Sequence, residues 1–455
     1  MTDHYRFILP EEQIPQAWYN INPDMPVDIG PVIDPKTMQP ATFDYLAELF
    51  PRRFLEENVS NERWIEIPRP VRDLYRIWRP SPLVRAHRLE KALDTPAHIY
   101  YKFEGASPVG SHKPNTAIPQ AFYAKEEGVK SMVTETGAGQ WGSALSMACN
   151  FFGIDCDVFM VRVSYNQKPF RRVVMESYGA HVVPSPSDKT EYGRKLLREN
   201  PEHLGNLGIA ISESLEVVMK SKGAVKYSLG SGLGVVLMHQ TVVGLEAQKQ
   251  FEMAGEYPDI LVGCIGGGSN FSGFTFPFLG DNLTKGIKTR IIAVEPVACP
   301  SVTKGLYTFD YVDSGEMGPI AKVYTLGHDF MPPAIHAGGL RLHFMAQHVS
   351  ALYNHGDIEC VAVGQESTFQ AASQFLKAEG FIPAPESAHA VKVAIDEAIR
   401  CREEGVKKVI GFNFSGHGLL DLAAYDAYNH GTLPDTSYPA AEVAEALKNL
   451  PKIEL

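Results

Sequence analysis

The sequence predicts an α/β protein with a largely parallel sheet. From about Pro82 onward, short apolar runs rich in β-branched residues alternate with helical patterns, and this alternation is typical of parallel strands joined by helices. The chain has 455 residues, of which 44% are hydrophobic and 21% charged. This length and composition favour two or three domains with substantial buried cores.

The predicted elements alternate along most of the chain. The strands are expected at residues 99–103, 131–134, 157–161, 181–183, 260–265, 290–294 and 408–412. The helices are expected at residues 115–127, 143–152, 170–178 and 366–379, with short ones at 45–50 and 71–75 in an N-terminal extension. Ligands of parallel sheets bind at the carboxyl ends of the strands, so the residues that follow each strand are the first candidates for a site.

Bulk properties exclude several kinds of partner. The formal net charge is −11, from 42 basic and 53 acidic residues, which disfavours nucleic acids and anionic membranes. No apolar stretch approaches the length of a membrane-spanning helix, and the polar N-terminus lacks a signal-peptide core. The six cysteines are scattered, so we expect free thiols in a reducing cytoplasm.

The first candidate loop, residues 105–116, contains Lys113. It joins a predicted strand to a predicted helix, where free backbone N–H groups can bind anions. A sheltered lysine there can be neutral and form a Schiff base with a carbonyl cofactor. Taken alone, the loop favours an ordinary surface lysine, so its function depends on the other loops.

The second candidate loop begins at Glu135, just past a predicted strand. Gly137, Gly139 and Gly142 satisfy the G-x-G-x-x-G spacing, which by itself is a weak dinucleotide signal. The next strand is followed by Arg162, which suits a 2′-phosphate, rather than by the acid that binds a ribose. The other interpretation is a carboxylate-binding loop with Glu135 directed into the site, although Glu135 equally fits a helix-start acid.

The third candidate loop consists of Gly266, Gly267, Gly268, Ser269 and Asn270, directly after a predicted strand. Glycines let the backbone approach a ligand closely, and serine and asparagine add hydrogen-bond donors. We interpret this loop as a cup for a single phosphate rather than as a flexible turn.

The fourth candidate loop contains Ser415, Gly416, His417 and Gly418 after the last predicted strand. A serine hydroxyl there can bind a ring nitrogen, although a helix N-cap serine is the commoner case. Asn413 and His417 stand where a G-x-S-x-G hydrolase motif requires glycine, which excludes that motif.

A group of four histidines gives a weaker signal. His336, His343, His348 and His355 lie close together in the sequence but match no zinc signature, so we expect no metal site there.

The four loops together supply what pyridoxal phosphate chemistry requires: a lysine, a phosphate cup, a hydroxyl for a ring nitrogen and a carboxylate loop. The sequence resembles the tryptophan synthase β chain, and more closely the long second type of that family. The resemblance is carried by residues 64–89, 100–116, 134–143, 162–187, 226–250, 266–270, 380–390 and 413–421.

The resemblance implies a fold-type II pyridoxal phosphate enzyme. Such enzymes are usually homodimers with two three-layer α/β domains and the cofactor between them. Here residues 1–80 would form the extension. Residues 81–225 would form mainly the smaller domain, with 81–111 shared with the larger one, and residues 226–455 would form the larger domain.

The resemblance also implies roles for individual residues. It makes Lys113 the Schiff-base lysine and Glu135 the catalytic acid–base group. The residues implied to hold or surround the cofactor are His112, Lys113, Asn115, Gln140, Ser231, Gly266, Gly267, Gly268, Ser269, Asn270, Glu386 and Ser415. Those implied to hold the substrate are Thr136, Gly137, Ala138, Gly139, Gln140, Trp141 and Arg341.

The implied reaction is β-replacement of L-serine with indole, giving L-tryptophan and water. Lys113 would remove the α-proton, and Glu135 would help hydroxide leave and then take the proton of the indole nitrogen. Many relatives also use a monovalent cation, sodium or potassium, and an α subunit is an expected partner.

Three residues depart from the ordinary β chain: Trp141 replaces a histidine, Arg341 an aspartate and His417 an arginine. We hypothesise that the positive charge of Arg341 favours O-phospho-L-serine as the donor. Other interpretations remain open, namely a serine/threonine deaminase, a cysteine synthase or other β-replacement enzyme, an NAD(P)-dependent oxidoreductase and a non-catalytic scaffold.

Overall fold

The structure, a computed structural model, describes residues 4–434 and 436–453. The strands are β1 Arg6–Phe7, β2 Ala17–Tyr19, β3 Ile33–Asp34, β4 Gln39–Pro40, β5 Trp64–Glu66, β6 Leu83–Arg85, β7 His98–Phe103, β8 Ser131–Thr136, β9 Asp155–Val161, β10 His181–Ser185, β11 Val225–Tyr227, β12 Ile260–Cys264, β13 Arg290–Pro296, β14 Leu306–Tyr311, β15 Ile320–Thr325, β16 Glu359–Val363 and β17 Val409–Phe414.

The α-helices occupy much of the remaining chain. They are α1 Phe43–Leu49, α2 Arg52–Asn58, α3 Arg69–Tyr75, α4 His87–Leu93, α5 Pro114–Glu126, α6 Gln140–Phe152, α7 Arg162–Gln167, α8 Pro169–Ser177, α9 Glu191–Glu199, α10 Leu207–Ser221, α11 Gly234–His239, α12 Val242–Ala254, α13 Ser269–Lys285, α14 Gln347–His355, α15 Gln365–Glu379, α16 Pro385–Glu404, α17 Leu422–Asn429 and α18 Ala440–Ala446.

Two sheets position the candidate loops. The large sheet has the strand order β1-β6-β7-β17-β12-β13-β16, and it is parallel from β7 to β16. The small sheet has the order β10-β9-β8-β11 and is parallel throughout. Helices α13 and α16 pack on the large sheet, and α6 and α10 pack on the small one. The predicted α/β class is therefore confirmed.

Each predicted strand and helix is present with slightly shifted ends. The largest shift is at α6, which begins three residues before the predicted helix. The strands β8 and β17 each run two residues beyond the predicted end. These ends are buried and hydrogen-bonded to neighbouring strands, a stabilisation that local sequence patterns do not report. The strands β14 and β15, which pair antiparallel, were not predicted.

The N-terminal extension is partly built into the sheets. β1 pairs antiparallel with β6 of the large sheet, and β3 joins β15 and β4 in a separate antiparallel sheet. The division into domains remains a proposal, consistent with β6 and β7 lying in the large sheet. Within the described residues, no helix is both long and apolar enough to cross a bilayer.

Candidate active site

One cavity, called here the main cavity, brings the four candidate loops together. The predicted site residues that line it are His112, Lys113, Glu135, Thr136, Gly137, Ala138, Gln140, Trp141, Ser231, Gly266, Gly267, Gly268, Ser269, Asn270, Glu386 and Ser415. Asn115, Gly139 and Arg341 are not among its lining residues. The loops meet because each follows the carboxyl end of a parallel strand.

Lys113 directs its amine into the main cavity. Its Nζ donates hydrogen bonds to the carbonyl oxygen of Gly230 at 2.6 Å and to Oγ of Ser269 at 3.0 Å. No carboxylate of the described residues forms an ion pair with it. Burial lowers the pKa of Lys113 to about 8, so a substantial fraction of the amine is neutral near physiological pH.

His112 has an assignable tautomer. Its Nδ1 lies 3.2 Å from the carbonyl oxygen of Ser415, which can only accept, so Nδ1 carries the proton. Burial lowers the pKa of His112 to about 3, which keeps the ring neutral. Nε2 therefore accepts from the Ser269 hydroxyl at 3.3 Å, and that oxygen in turn accepts from Lys113.

The glycine loop is a close-fitting cup at the start of α13. A Cβ on Gly266 would lie 2.2 Å from the Gly339 carbonyl oxygen, and one on Gly267 would lie 2.3 Å from Oγ of Ser231. Gly268 has φ +95°, which side chains rarely adopt. A helix start with free N–H groups behind a glycine cup suits a phosphate.

Ser415 is held by neutral partners. Its Oγ lies 2.6 Å from Oγ of Ser387 and 3.8 Å from Sγ of Cys264. Burial raises the pKa of the Cys264 thiol to about 12, so it stays uncharged. A hydroxyl in such surroundings suits an unprotonated ring nitrogen.

Glu135 lies within β8, not beyond it, and α6 starts only at Gln140. The interpretation as a helix-start acid is therefore wrong, since β8 continues to Thr136. Tyr227 donates a hydrogen bond to the carboxylate of Glu135. Burial raises the pKa of Glu135 to about 7, although Tyr227 and the charge of Lys113 oppose that shift.

A second cavity, called here the apolar cavity, adjoins the main one. Glu135, Leu207 and Ser231 line both. The rest of its wall is mostly aliphatic and aromatic, with Leu46, Leu49 and Phe50 from α1 and the residue after it, Ile211 and Leu215 from α10, Ala321 and Val323 from β15, and Phe344. The N-terminal extension thus contributes directly to the site.

The predicted carboxylate loop is fixed on both sides. Gln140 Nε2 donates to Glu386 Oε2 at 3.0 Å, and Glu386 Oε1 accepts from the Gly339 N–H at 2.9 Å. A Cβ on Gly137 would lie 2.8 Å from the Gly338 carbonyl oxygen. Arg162 donates instead to the Pro186 carbonyl, away from this loop, which removes the support for a 2′-phosphate site.

Arg341 lies behind the main cavity, in a small adjoining pocket that Gly137 and Gly338 also line. Its guanidinium donates to Oγ of Ser164 at 2.8 Å, and its buried Nε has no hydrogen-bond partner in the described part of the chain. Burial lowers the pKa of Arg341 to about 10. His417 packs against Gly110, and a Cβ on Gly110 would lie 2.1 Å from Nε2 of His417.

Asn115 faces away from the main cavity. Its amide binds Glu104 at 3.2 Å and Gln240 at 3.0 Å, and its Oδ1 accepts from Arg79 at 2.8 Å. It therefore belongs to a buried group of charged residues beneath α5 rather than to the cavity wall.

The four histidines of the discounted cluster have separate partners. His343 binds the Tyr311 carbonyl, His348 binds Asn22, and His355 binds Asp357. The backbone N–H of His336 donates to Gln365. Among residues 4–434 and 436–453, no cluster of histidine, cysteine and acidic side chains could hold a metal ion.

Sequence patterns missed several residues that shape the site. Cys264 ends β12 and lies one residue before the end of the predicted strand 260–265, so its position was a usable signal. Tyr227 ends β11, a short strand that was not predicted. Ser387 and Gly230 carry no distinctive motif, and their roles depend on contacts between distant segments.

A sequence model described as "Pyridoxal-phosphate dependent enzyme" matches residues 74–416. Three curated relatives named "Tryptophan synthase beta chain 2" align over nearly the whole chain. That of Aeropyrum pernix is 59% identical, covering 95% of this chain and 96% of the relative. The chain belongs to the family of pyridoxal-phosphate dependent enzymes, and within it to the branch of these relatives.

Other tryptophan synthase beta chain 2 proteins agree with this membership. The relative from Aquifex aeolicus is 56% identical over 94% of this chain and 100% of its own length, and that from Thermotoga maritima is 56% identical over 92% and 98%. Membership of the pyridoxal phosphate family and its second-type branch is therefore confirmed.

Solved structures support the fold. The O-acetyl serine sulfhydrylase isoform 3 from Entamoeba histolytica has a TM-score of 0.58 at 17% identity, covering 83% of this chain and 96% of its own. Threonine deaminase isoform 2 from Solanum lycopersicum has a TM-score of 0.59 at 18% identity, covering 92% and 98%. At such low identity, these likenesses concern the fold alone.

Proposed function

We propose that this chain is a pyridoxal phosphate-dependent lyase that replaces the β-hydroxyl of L-serine with indole, forming L-tryptophan and water. The observation that carries the proposal is the position of Glu135 between the main cavity, which contains the Lys113 amine, and the apolar cavity. An acid of pKa about 7 there can exchange protons with a ligand in either cavity.

The residues present fit the cofactor. The glycine cup with Ser231 and Ser269 would hold the phosphate, Lys113 would form the covalent bond, and Glu386 and Ser415 would border the ring. When bound, pyridoxal phosphate supplies a ring that withdraws electrons and stabilises negative charge at the α-carbon of serine.

The chain's own side chains divide the proton transfers. Nζ of Lys113, with its lowered pKa, removes the α-proton of serine. The Glu135 carboxyl gives a proton to the leaving hydroxide and then accepts the proton of the indole nitrogen. Thr136, Gly137, Ala138 and Gln140, which line the main cavity, hold the substrate carboxylate. Gly139 completes the loop behind them, packed against Arg171.

The apolar cavity suits indole. Its wall is mostly aliphatic and aromatic, and it has the Glu135 carboxyl at one end. Transfer of a planar, uncharged ring from water to contact with such a wall is favourable, whereas transfer of the polar serine is not. The cavity thereby favours indole over water as the nucleophile.

The experiment is product analysis of the holoenzyme with L-serine, with and without indole. We expect tryptophan in the presence of indole, and loss of its formation in both Lys113→Ala and Glu135→Gln. Pyruvate as the main product in the presence of indole, as a deaminase would give, contradicts the proposal. A colourless protein that binds a nicotinamide cofactor also contradicts it.

The donor is proposed to be O-phospho-L-serine as well as L-serine. Arg341 supports this because its charge is buried beside the carboxylate loop without a carboxylate partner among the described residues. Rates on the two donors are compared at fixed indole, in wild type, Arg341→Lys and Arg341→Asp. We expect preference for the phosphorylated donor to fall in that order. The hypothesis is contradicted if the wild-type rate with O-phospho-L-serine does not exceed the rate with L-serine. It is also contradicted if Arg341→Asp does not change the preference between the two donors.

The proposal extends to assembly and conditions. We propose a cytoplasmic homodimer that uses a monovalent cation, sodium or potassium, and that pairs with an α subunit; the name "beta chain" of the relatives supports the last point. Light scattering gives the oligomeric state, and assays with tetramethylammonium as the sole cation test the ion requirement. Titration with candidate α subunits tests the pairing.

A further inference from the structure

The two carboxylate oxygens of Glu135 are not equivalent. The Tyr227 hydroxyl donates to Oε2, and Oγ1 of Thr134 lies 3.4 Å from the same atom. In the described part of the chain, both side-chain contacts of hydrogen-bond length to this carboxylate therefore end on Oε2. Oε1 has no side-chain partner there.

Of these two hydroxyls, that of Tyr227 is the donor to Glu135. The Thr134 hydroxyl accepts from Nε1 of Trp141 at 2.7 Å, and its Oγ1 lies 2.5 Å from the Ser228 carbonyl oxygen. A carbonyl can only accept, so the single hydroxyl proton of Thr134 points to Ser228. The contact of Thr134 with Glu135 is longer and weaker.

The surroundings of Tyr227 keep its hydroxyl protonated, so it remains a hydrogen-bond donor. It ends β11, is buried, and packs its ring against Phe50 at 5.6 Å between ring centroids. Burial raises the pKa of Tyr227 well above its ordinary value, so the hydroxyl stays protonated. The titratable groups that act on Glu135 are Lys113, before α5, and Tyr227, while Asp313 acts on Tyr227.

We propose that Tyr227 is a positioning residue that fixes Oε2 of Glu135, so that Oε1 is the oxygen that exchanges protons with the substrate. The inference rests on the proposed function, since it assigns the working atom of the proposed acid–base group. Tyr227 also lines the apolar cavity, so one side chain both borders the proposed indole site and donates the hydrogen bond that fixes Glu135.

The proposal predicts the direction in which the pKa of Glu135 changes when the Tyr227 hydroxyl is removed. Tyr227 donates to the charged carboxylate and so favours that form. Removing the hydroxyl in Tyr227→Phe should raise the proton affinity of Glu135 about tenfold, which is about one pKa unit. The acid limb of the indole-dependent rate should move to higher pH by the same amount, because the unprotonated carboxylate must accept the indole proton.

The test is an infrared titration of the holoenzyme, with Glu135→Gln as the reference that identifies the bands of this carboxyl. We expect the midpoint to rise in Tyr227→Phe. Tyr425→Phe is the matched control, because it removes another buried tyrosine hydroxyl, which donates to the Pro383 carbonyl. Thr134→Val should shift the midpoint less than Tyr227→Phe does.

A second variant covers the case in which Tyr227→Phe fails to fold. Site-specific replacement of Tyr227 by 3-fluorotyrosine keeps the ring and strengthens the donor, so the Glu135 midpoint should fall. An unmoved midpoint in both Tyr227 variants, or an equal rise in Tyr425→Phe or Thr134→Val, overturns the inference. Full tryptophan formation by Glu135→Gln would instead refute the proposed role of Glu135, whatever the Tyr227 variants show.

Discussion

Two lysines of this protein, the fully buried Lys102 and the partly buried Lys113, have opposite surroundings. Lys102 donates to Glu246 at 2.7 Å, to Gln250 at 2.9 Å and to the Ser81 carbonyl at 2.6 Å. Within the described residues, Lys113 donates only to a carbonyl and a hydroxyl, and it faces the main cavity. Burial lowers the pKa of both amines, and among residues 4–434 and 436–453 only Lys102 has a carboxylate within hydrogen-bond distance to offset that shift.

The neighbours of Lys102 complete a balanced cluster, called here the ion cluster. Arg79 binds Glu104 at 3.0 Å and Glu246 at 2.9 Å, so two cations face two carboxylates. All four side chains are fully buried. A balanced cluster of this kind holds segments together but has no charge or cavity left for a ligand, whereas an unpaired amine in a cavity is suited to chemistry.

The largest expected effect comes from removing the cavity lysine. Lys113→Ala should lower the rate of tryptophan formation about 10⁴-fold, since a positioned acid–base group is lost. No ion pair is broken, so the free energy of unfolding of the cofactor-free protein should not fall. Initial rates and chemical denaturation measure the two quantities. A Lys113→Ala variant that keeps its activity but is destabilised would show that Lys113 has a structural role, contrary to the expectation.

Glu246→Gln should show the opposite pattern. It leaves Lys102 and Arg79 with one full carboxylate between them, which should lower the free energy of unfolding by about 3–5 kcal/mol. Urea denaturation of the cofactor-free protein measures the loss. Glu191→Gln is the control, because it removes an exposed partner of Lys220 and should have no measurable effect. An equal, small effect of both variants would contradict the structural role of the ion cluster.

The pH dependence of stability reports the lowered pKa of Lys113. Its pKa in the folded protein is about 8, against 10.5 in the unfolded chain, so the unfolded state binds more protons between these values. The free energy of unfolding therefore rises with pH in that window, by about 3 kcal/mol from this group. We expect the rise, measured in cofactor-free protein, to be smaller by that amount in Lys113→Met. Parallel curves for the two proteins would contradict the lowered pKa.

The smallest expected effect concerns Asn115, which connects the two regions. Asn115→Leu removes its bonds to Arg79 and Glu104, so the free energy of unfolding should fall by about 1–3 kcal/mol. The Kd for pyridoxal phosphate, measured by fluorescence titration, should change less than about threefold, which is under 1 kcal/mol. A large loss of cofactor affinity would instead support the expected cofactor role of Asn115.

Much of the fold was visible in local patterns. The buried apolar strands β8, β12 and β17 were predicted because burial on both faces selects continuous β-branched and aromatic runs. The short strand β11 was missed, because its signal is weak and its stability comes from pairing with β8. Tyr227, which binds Glu135, was missed with it.

The sequence by itself determined which loops line the main cavity, because glycine, serine and lysine at strand ends are local features and the carboxyl ends of parallel strands share an edge of their sheet. It also indicated the family through an ordered set of motifs. Only the tertiary structure decided which of the two lysines is paired, that Asn115 faces the ion cluster, and that Arg341 lies behind the carboxylate loop. Charge pairing depends on side chains from distant segments, and no local pattern reports those distances.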